Sequence, residues 1–308
     1  VPKMFIPNSK EFYEARWFAS GKSIARDVNS VNIFGYETAF GNLIFTDDAS
    51  GLSLGIEICE DLWLPITPGA QLALNGAHII LNPSASDETV GKSDYRRSLV
   101  AVQSAKSICG YVYASSGVSE STTDLVFSGH HIIAEGGTVL AENERFERQS
   151  VITYTEIDYG KLKFDRSQGH NMAECNIAFS DRYMYTPVAL LEMRTIASES
   201  DTLIRSYAKN PFIPSDTSET DRKCREIFKI QTAGYAKRME HTHAAKSVVG
   251  ISGGLDSTLA LLVAAETHKL LGKPASDIIA ITMPGFGTTG KTYNNALTIM
   301  NLLGTEIR

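Results

Sequence analysis

Gly55-Ile56-Glu57-Ile58-Cys59-Glu60-Asp61-Leu62-Trp63 is the stretch that decides how this chain folds. Residues 53–58 have the length and apolar composition of a buried strand, and the strand delivers a cysteine at its carboxyl end, just before a turn. A thiol attacks only as thiolate, and needs positive charge or helix N–H groups beside it. The local pattern alone leaves two readings open. Cys59 is either a nucleophile at a sheet edge or a small buried hydrophobe, as most single cysteines are.

A second stretch, Val248-Val249-Gly250-Ile251-Ser252-Gly253-Gly254-Leu255-Asp256-Ser257, runs from a strand through a glycine-rich loop into a helix. Glycines let backbone N–H groups approach an anion, and a helix N-terminus adds favourable partial charge. The hydroxyls of Ser252 and Ser257 supply further donors. The plain alternative is a serine- and glycine-rich turn ending in a helix cap. A strand before the loop and a helix after it favour phosphate binding.

Between these landmarks the periodicity predicts strands at 42–46, 53–58, 77–82 (closed by Pro83), 111–114, 129–134, 138–141 and 150–157. Helices are predicted at 71–76 and 94–107. The second places Leu99, Val102 and Ala105 on one side, with Arg96, Arg97 and Lys106 elsewhere. Residues 191–222 change character: serines and acids surround Asn210-Pro211-Phe212-Ile213-Pro214, as in an interdomain linker. A helix from Lys223 to about Met239 precedes two strand–loop–helix units, with strands ending at Ile251 and Met283. The organisation expected is 1–190, an α/β layered sandwich; 191–222, a linker; and 223–308, the start of a doubly wound parallel sheet. Two units do not complete an open sheet of ~5 strands. With Val1 in place of an initiator methionine, a piece of a longer protein is expected.

The chain has 308 residues, 43% of them hydrophobic, and a net charge of -6. That balance argues against a general nucleic-acid or membrane surface. No apolar run approaches the ~20 residues of a membrane helix, and the first residues lack a signal peptide's apolar core. The four cysteines are widely spaced, so reduced thiols and a cytoplasmic location are expected.

Lys3-Met4-Phe5-Ile6-Pro7-Asn8-Ser9-Lys10-Glu11-Phe12-Tyr13-Glu14, followed by the Cys59 stretch, resembles the nitrilase (carbon–nitrogen hydrolase) superfamily. More closely it is similar to the glutaminase domain of glutamine-dependent NAD synthetases. The similarity continues through Asn82-Pro83-Ser84-Ala85-Ser86, Gly91-Lys92, Tyr95-Arg96 and Glu120-Ser121-Thr122-Thr123-Asp124. The resemblance implies an α-β-β-α sandwich with Cys59 as nucleophile, Lys3 as catalytic lysine and Glu11 as second glutamate. A lysine beside the sulfur favours thiolate, and with the Glu60 N–H it stabilises an oxyanion. Ser86 and Lys92 match positions at the substrate's polar end. The chain departs from the family in three places. Nothing precedes Val1, so the family's upstream general-base glutamate is expected to be missing. Ser9 stands where the family often has an aromatic residue, and Lys92 is a basic stand-in of weaker geometric specificity than arginine.

Ser252-Gly253-Gly254-Leu255-Asp256-Ser257 resembles the pyrophosphate loop of ATP pyrophosphatases. The resemblance implies ATP held by Ser252, Gly253, Gly254 and Ser257, Mg²⁺ held by Asp256, and Thr288 in a loop near the adenosine. Gly285-Phe286-Gly287-Thr288-Thr289-Gly290-Lys291-Thr292 also fits the Walker A pattern and sets a rival P-loop reading. The family's activity is ATP-dependent amidation of deamido-NAD with ammonia from glutamine, expected in a cytoplasmic homo-oligomer and incomplete in this length of chain. Two other enzyme readings remain: an amidohydrolase with a nucleotide-binding appendage, and a P-loop NTPase. A non-catalytic interaction module is the third alternative.

Overall fold

Apart from 150–157, the runs that read as strands do pair side by side. The computed structural model describes residues 1–9, 12–24, 28–169, 171–178, 184–187, 203–207, 209–210, 213, 217–286 and 289–308. The chain divides into two compact units, Val1–Ser206 and Tyr207–Arg308.

In the first unit, β1 (Ser30–Ile33) and β2 (Tyr36–Ala39) form an antiparallel ribbon. Seven further strands make one mixed sheet. They are β3 (Leu43–Thr46), β4 (Ser53–Ile56), β5 (Ile79–Ser84), β6 (Gly110–Ser115), β7 (His131–Glu135), β8 (Thr138–Glu142) and β9 (Met184–Pro187). Their order is β8-β7-β6-β5-β4-β3-β9, and β4, β5 and β6 run parallel. Register aligns Ile44, Gly55, Ile80, Tyr111 and Ala134 in one row across the buried face. Helices α1 (Pro68–Leu74) and α2 (Lys92–Lys106) cover that face and pack Leu72, Ala73 and Val100 into its core. Gly55 lets α1 approach: a Cβ there would meet Leu72 Cβ at 3.0 Å.

Three local expectations are corrected. Residues 150–157 carry no ladder. Pro83 does not close β5, because beyond Leu81 the strand pairs with β6 alone and a missing N–H is tolerated on the open side. The buried face of α2 is Arg96, Val100, Gln103 and Ser104, with Leu99 half-buried against the core, while Val102 and Ala105 are exposed. Val102 is 53% exposed. The polar residues go inside because each finds a partner there: Gln103 donates to Thr67 Oγ1 at 2.8 Å, and Ser104 Oγ accepts from the Gly137 N–H at 2.9 Å. Two helices that periodicity did not reveal follow, α3 (Tyr159–Gln168) and α4 (Asn171–Ala178). Arg166 of α3 donates to the carbonyls of Ala77, Ser107 and Ile108 at the sheet's amino edge.

The second unit opens with α5, which spans Thr217–Thr242 and so starts before Lys223. Then come β10 (Ser247–Gly250), α6 (Leu255–Leu270), β11 (Ile278–Ile281), α7 (Gly290–Leu302) and a short β12 (Glu306–Ile307). The three strands are parallel, in the order β10-β11-β12. Ile251, Leu261, Ile278 and Met300 form its core. Ser247 lies between Tyr235 and His268, its hydroxyl 2.6 Å from the Tyr235 oxygen and 2.8 Å from His268 Nε2. No helix of the described residues is long and apolar enough to cross a membrane.

Ile80 is wholly buried in the middle of the row. Ile80→Ala is expected to destabilise the first unit by about 3 kcal/mol. Both tryptophans, Trp17 and Trp63, lie in that unit, so urea unfolding followed by tryptophan fluorescence measures the loss directly.

Candidate active site and nucleotide loop

Because β4, β5 and β6 are parallel, their carboxyl ends open on one edge, where the following loops converge. β4 ends at Ile56, and a single 3₁₀ turn, Cys59–Trp63, follows. Cys59 sits at φ +50°, a left-handed backbone that costs a non-glycine residue ~1–3 kcal/mol. Its N–H donates to Asn82 Oδ1 at 3.2 Å, at the end of β5. Two residues on, Asp61 is 1% exposed. Its carboxylate accepts from the backbone N–H groups of Phe5 at 2.8 Å, Ile58 at 2.9 Å and Met4 at 3.4 Å. That one side chain fastens the segment after Lys3 to the Cys59 turn. Burial pushes its pKa up, against those three donors.

A cleft of about 180 Å³ lies over this edge, and Cys59, Glu60, Ser86 and Lys92 all line it, with Ser9 and Trp63. The Lys92 ammonium is paired with Asp87 and stands 5.4 Å from the Trp63 ring centroid. Ser86 takes its place from β6, whose Ser115 Oγ accepts its N–H at 3.2 Å. Burial raises the Glu60 pKa, opposed by the charges of Lys3 and Lys92. Lys3 Nζ is paired with Glu14 Oε2 at 3.0 Å. Glu11 lies outside the described residues.

Sequence reasoning missed the groups beneath the cleft. Arg96 is fully buried; it donates to Glu88 at 2.6 Å and to Ser86 Oγ at 3.2 Å, and its Nη1 lies 2.9 Å from His130 Nδ1. Glu57, 1% exposed, accepts from Tyr111 Oη and, at 2.6 Å, from the Gly69 N–H. Burial lifts its pKa to about 7, against donation from Tyr111, Gly69 and Asn82, while the charge of Asp61 adds to the rise. An acid two residues before a cysteine, on the inward side of an apolar strand, was the available signal.

In the second unit the loop after β10 turns on Gly253, at φ +80°. A Cβ there would stand 2.0 Å from the Thr292 carbonyl oxygen, so only glycine lets the loop touch the first turn of α7. Ser252 Oγ and Ser257 Oγ are 3.1 Å apart, and Ser257 Oγ accepts the Ser252 N–H at 3.2 Å. Asp256 lies in the first turn of α6. Of the rival motif, Thr292 is engaged in its own helix cap: its N–H donates to Thr289 Oγ1 and its hydroxyl to the Thr289 carbonyl. Lys291 is exposed, and Thr288 lies outside the described residues.

A cysteine on a strained turn at the carboxyl edge of parallel strands, sharing a cleft with Lys92, is a setting in which thiol chemistry is found. The chain belongs to the carbon-nitrogen hydrolase family, which matches residues 3–166. The NAD synthase family matches residues 228–308. Glutamine-dependent NAD(+) synthetase from Mycobacterium tuberculosis (strain ATCC 25618 / H37Rv) is 36% identical over 312 residues, covering 99% of this chain and 44% of its own. The enzyme of the same description from Mycobacterium leprae (strain TN) is 36% identical over 307 residues, again with 99% and 44% covered. The chain thus spans less than half the length of these relatives. A solved structure of glutamine-dependent NAD+ synthetase from Acinetobacter baumannii in complex with ADP shares 18% identity, with a TM-score of 0.39, covering 99% of this chain and 43% of that one.

The four thiols are unpaired but differ sharply in setting. Cys109 is buried, which pushes its pKa to about 12, while Cys175 and Cys224 are exposed on helices. A glutamine-like chloroketone is expected to modify Cys59 alone, whereas iodoacetamide also reaches Cys175 and Cys224. Peptide mass spectrometry checks this, and chloroketone labelling at any of the other three would discard the assignment. Gly253→Ala is expected to speed amide exchange in 252–258 and 289–295, by ~10-fold or more for a local cost of ~1–3 kcal/mol, leaving the first unit unchanged.

Proposed function

We propose that the first unit cleaves the side-chain amide of glutamine and that the second binds ATP for the amidation of deamido-NAD. The observation that carries the first half is the convergence of Cys59, Glu60, Ser86 and Lys92 on one cleft, with the Lys3 segment tied to it by Asp61. In this reading the Cys59 sulfur adds to the glutamine carbonyl. The oxyanion is met by Lys3 and the Glu60 N–H, and Glu11 would serve as the second glutamate. The C–N bond breaks, ammonia leaves carrying the thiol proton, and water hydrolyses the thioester to glutamate and free thiol. Ser86 and Lys92 orient the polar end of the substrate.

Support for the second half is the loop at the carboxyl end of β10, whose backbone approaches α7 through Gly253. Ser252, Gly253, Gly254 and Ser257 would hold the phosphates of ATP, and Thr288 would serve the adenosine side. Asp256 would hold Mg²⁺. Among the described residues no cluster of three His, Cys, Asp or Glu side chains forms a self-contained metal cage. One carboxylate with phosphate oxygens is an arrangement Mg²⁺ commonly takes, so the residues fit. ATP activates the nicotinate carboxylate of deamido-NAD as an adenylate, with release of pyrophosphate, and ammonia displaces AMP. The parts assigned to these chemistries are residues 1–190 and 223–308, with 191–222 as linker. A cytoplasmic homo-oligomer belongs to the same proposal.

In the intact protein, Cys59→Ala is expected to abolish glutamine-driven synthesis while sparing synthesis from high ammonium. Asp256→Ala is expected to lower synthesis with either donor, while thioester formation at Cys59 persists. Rates with each nitrogen donor and ATP consumption measure both arms. Equal loss with both donors in Cys59→Ala would refute a separate glutaminase. A larger loss in Lys291→Ala than in Asp256→Ala would favour the P-loop reading.

A further inference from the structure

We propose that Glu57 is a positioning residue which, through Tyr111 and Asn82, holds the backbone of Cys59 in the conformation that presents its sulfur. The proposal rests on the reading of Cys59 as the nucleophile. Ionised Glu57 can only accept hydrogen bonds. Tyr111 Oη, fully buried, therefore gives its single proton to Glu57 Oε1 and is left with an oxygen that accepts. Asn82 Nδ2 fills that acceptor at 3.0 Å. The amide of Asn82 then has one orientation open to it, and its Oδ1 points at the Cys59 N–H, 3.2 Å away, while also accepting from Ser84 Oγ at 2.7 Å. The chain of bonds has a direction, set at the carboxylate and delivered to a residue held at φ +50°.

The arrangement is not explained by stability. A carboxylate taken out of water at the end of an apolar strand is costly, and an apolar side chain of similar size would pack there more favourably. The surroundings are nevertheless shaped to the carboxylate. A Cβ at position 69 would lie 2.5 Å from Glu57 Oε1, so glycine stands where α1 brings its N–H to the acid. The groups facing Glu57 are the Tyr111 hydroxyl from β6, the Cys109 thiol just before it, the Asn82 amide from β5, the Gly69 N–H from α1 and the Asp61 carboxylate from the Cys59 turn. Once Glu57 takes up a proton it can donate to Tyr111 Oη, the direction reverses, and Asn82 loses its single orientation. With the Glu57 pKa lifted by burial to about 7, Cys59 is held above that pH and loosened below it.

The test reads geometry rather than turnover. Amide protection of residues 57–63, corrected for intrinsic exchange, is measured by mass spectrometry from about pH 6 to about pH 8, alongside the alkylation rate of Cys59 by iodoacetamide. In the unmutated protein Cys59 protection is expected to rise ~10-fold across this range, the worth of one good hydrogen bond. Glu57→Gln presents one acceptor and one donor and cannot accept from both Tyr111 and Gly69; Tyr111→Phe removes the hydroxyl that relays the direction to Asn82. Both variants are expected to show flat, low protection and to lose the corresponding inflection in the alkylation profile. A Glu57→Gln profile that superimposes on the unmutated one overturns the proposal. If the variants do not fold, the unmutated series still decides, because protection that stays flat with pH also overturns it. Failure of the glutaminase reading would show separately, as glutamine use surviving in Cys59→Ala.

Discussion

The carboxylate of Asp61 takes backbone N–H groups from Met4 and Phe5 and from Ile58. Two stretches far apart in sequence are thereby drawn to one point at the edge of the sheet. Without it the only covalent route from Lys3 to Cys59 runs through the β1–β2 ribbon and two further strands. Loop closure over so many residues is entropically costly unless something pins the ends. A buried carboxylate with three N–H donors does so, since removing it would strand those donors. Every role considered for Lys3 depends on this fastening.

The sheet supplies the second constraint. Parallel pairing of β4, β5 and β6 sends Cys59, Ser86 and the start of α2 to the same edge, so residues from the loops after β4 and β5 share a cleft. Close packing of α1 makes that edge stiff. Gly55 admits Leu72 against the strand, and Gly69 admits its own N–H against Glu57. These glycines serve distance and not turning: neither has a positive φ, and each stands where a Cβ would collide.

What the sequence made legible was local. A strand ending in cysteine and a strand–glycine loop–helix are contained within about ten residues each, and both are present where they were read. The groups that were missed depend on partners distant along the chain. Arg96 looked like a surface residue of an amphipathic helix, but Glu88, Ser86 and His130 converge on it, and burial follows from those bonds rather than from periodicity. Glu57 and Asn82 are far apart in sequence, and Tyr111 bridges them from the neighbouring strand. β12 escaped notice because it has two residues, too few for any period, and pairs only because β11 is already placed. Glu11 and Thr288 were singled out by spacing and resemblance, and both fall outside the described residues.

The two units answer the same geometric problem in opposite ways. Each places its reactive loop after a parallel strand, and each bends the backbone into the left-handed region at the first residues beyond it. At Gly253 the function asked of the chain is bare backbone close to α7, so the residue without a side chain fits and the bend carries no strain. At Cys59 the proposed function needs the side chain, which glycine does not have. The strain has to be met by neighbours, and a buried amide, a tyrosine and an acid stand in a line behind the Cys59 backbone, the role proposed for them above.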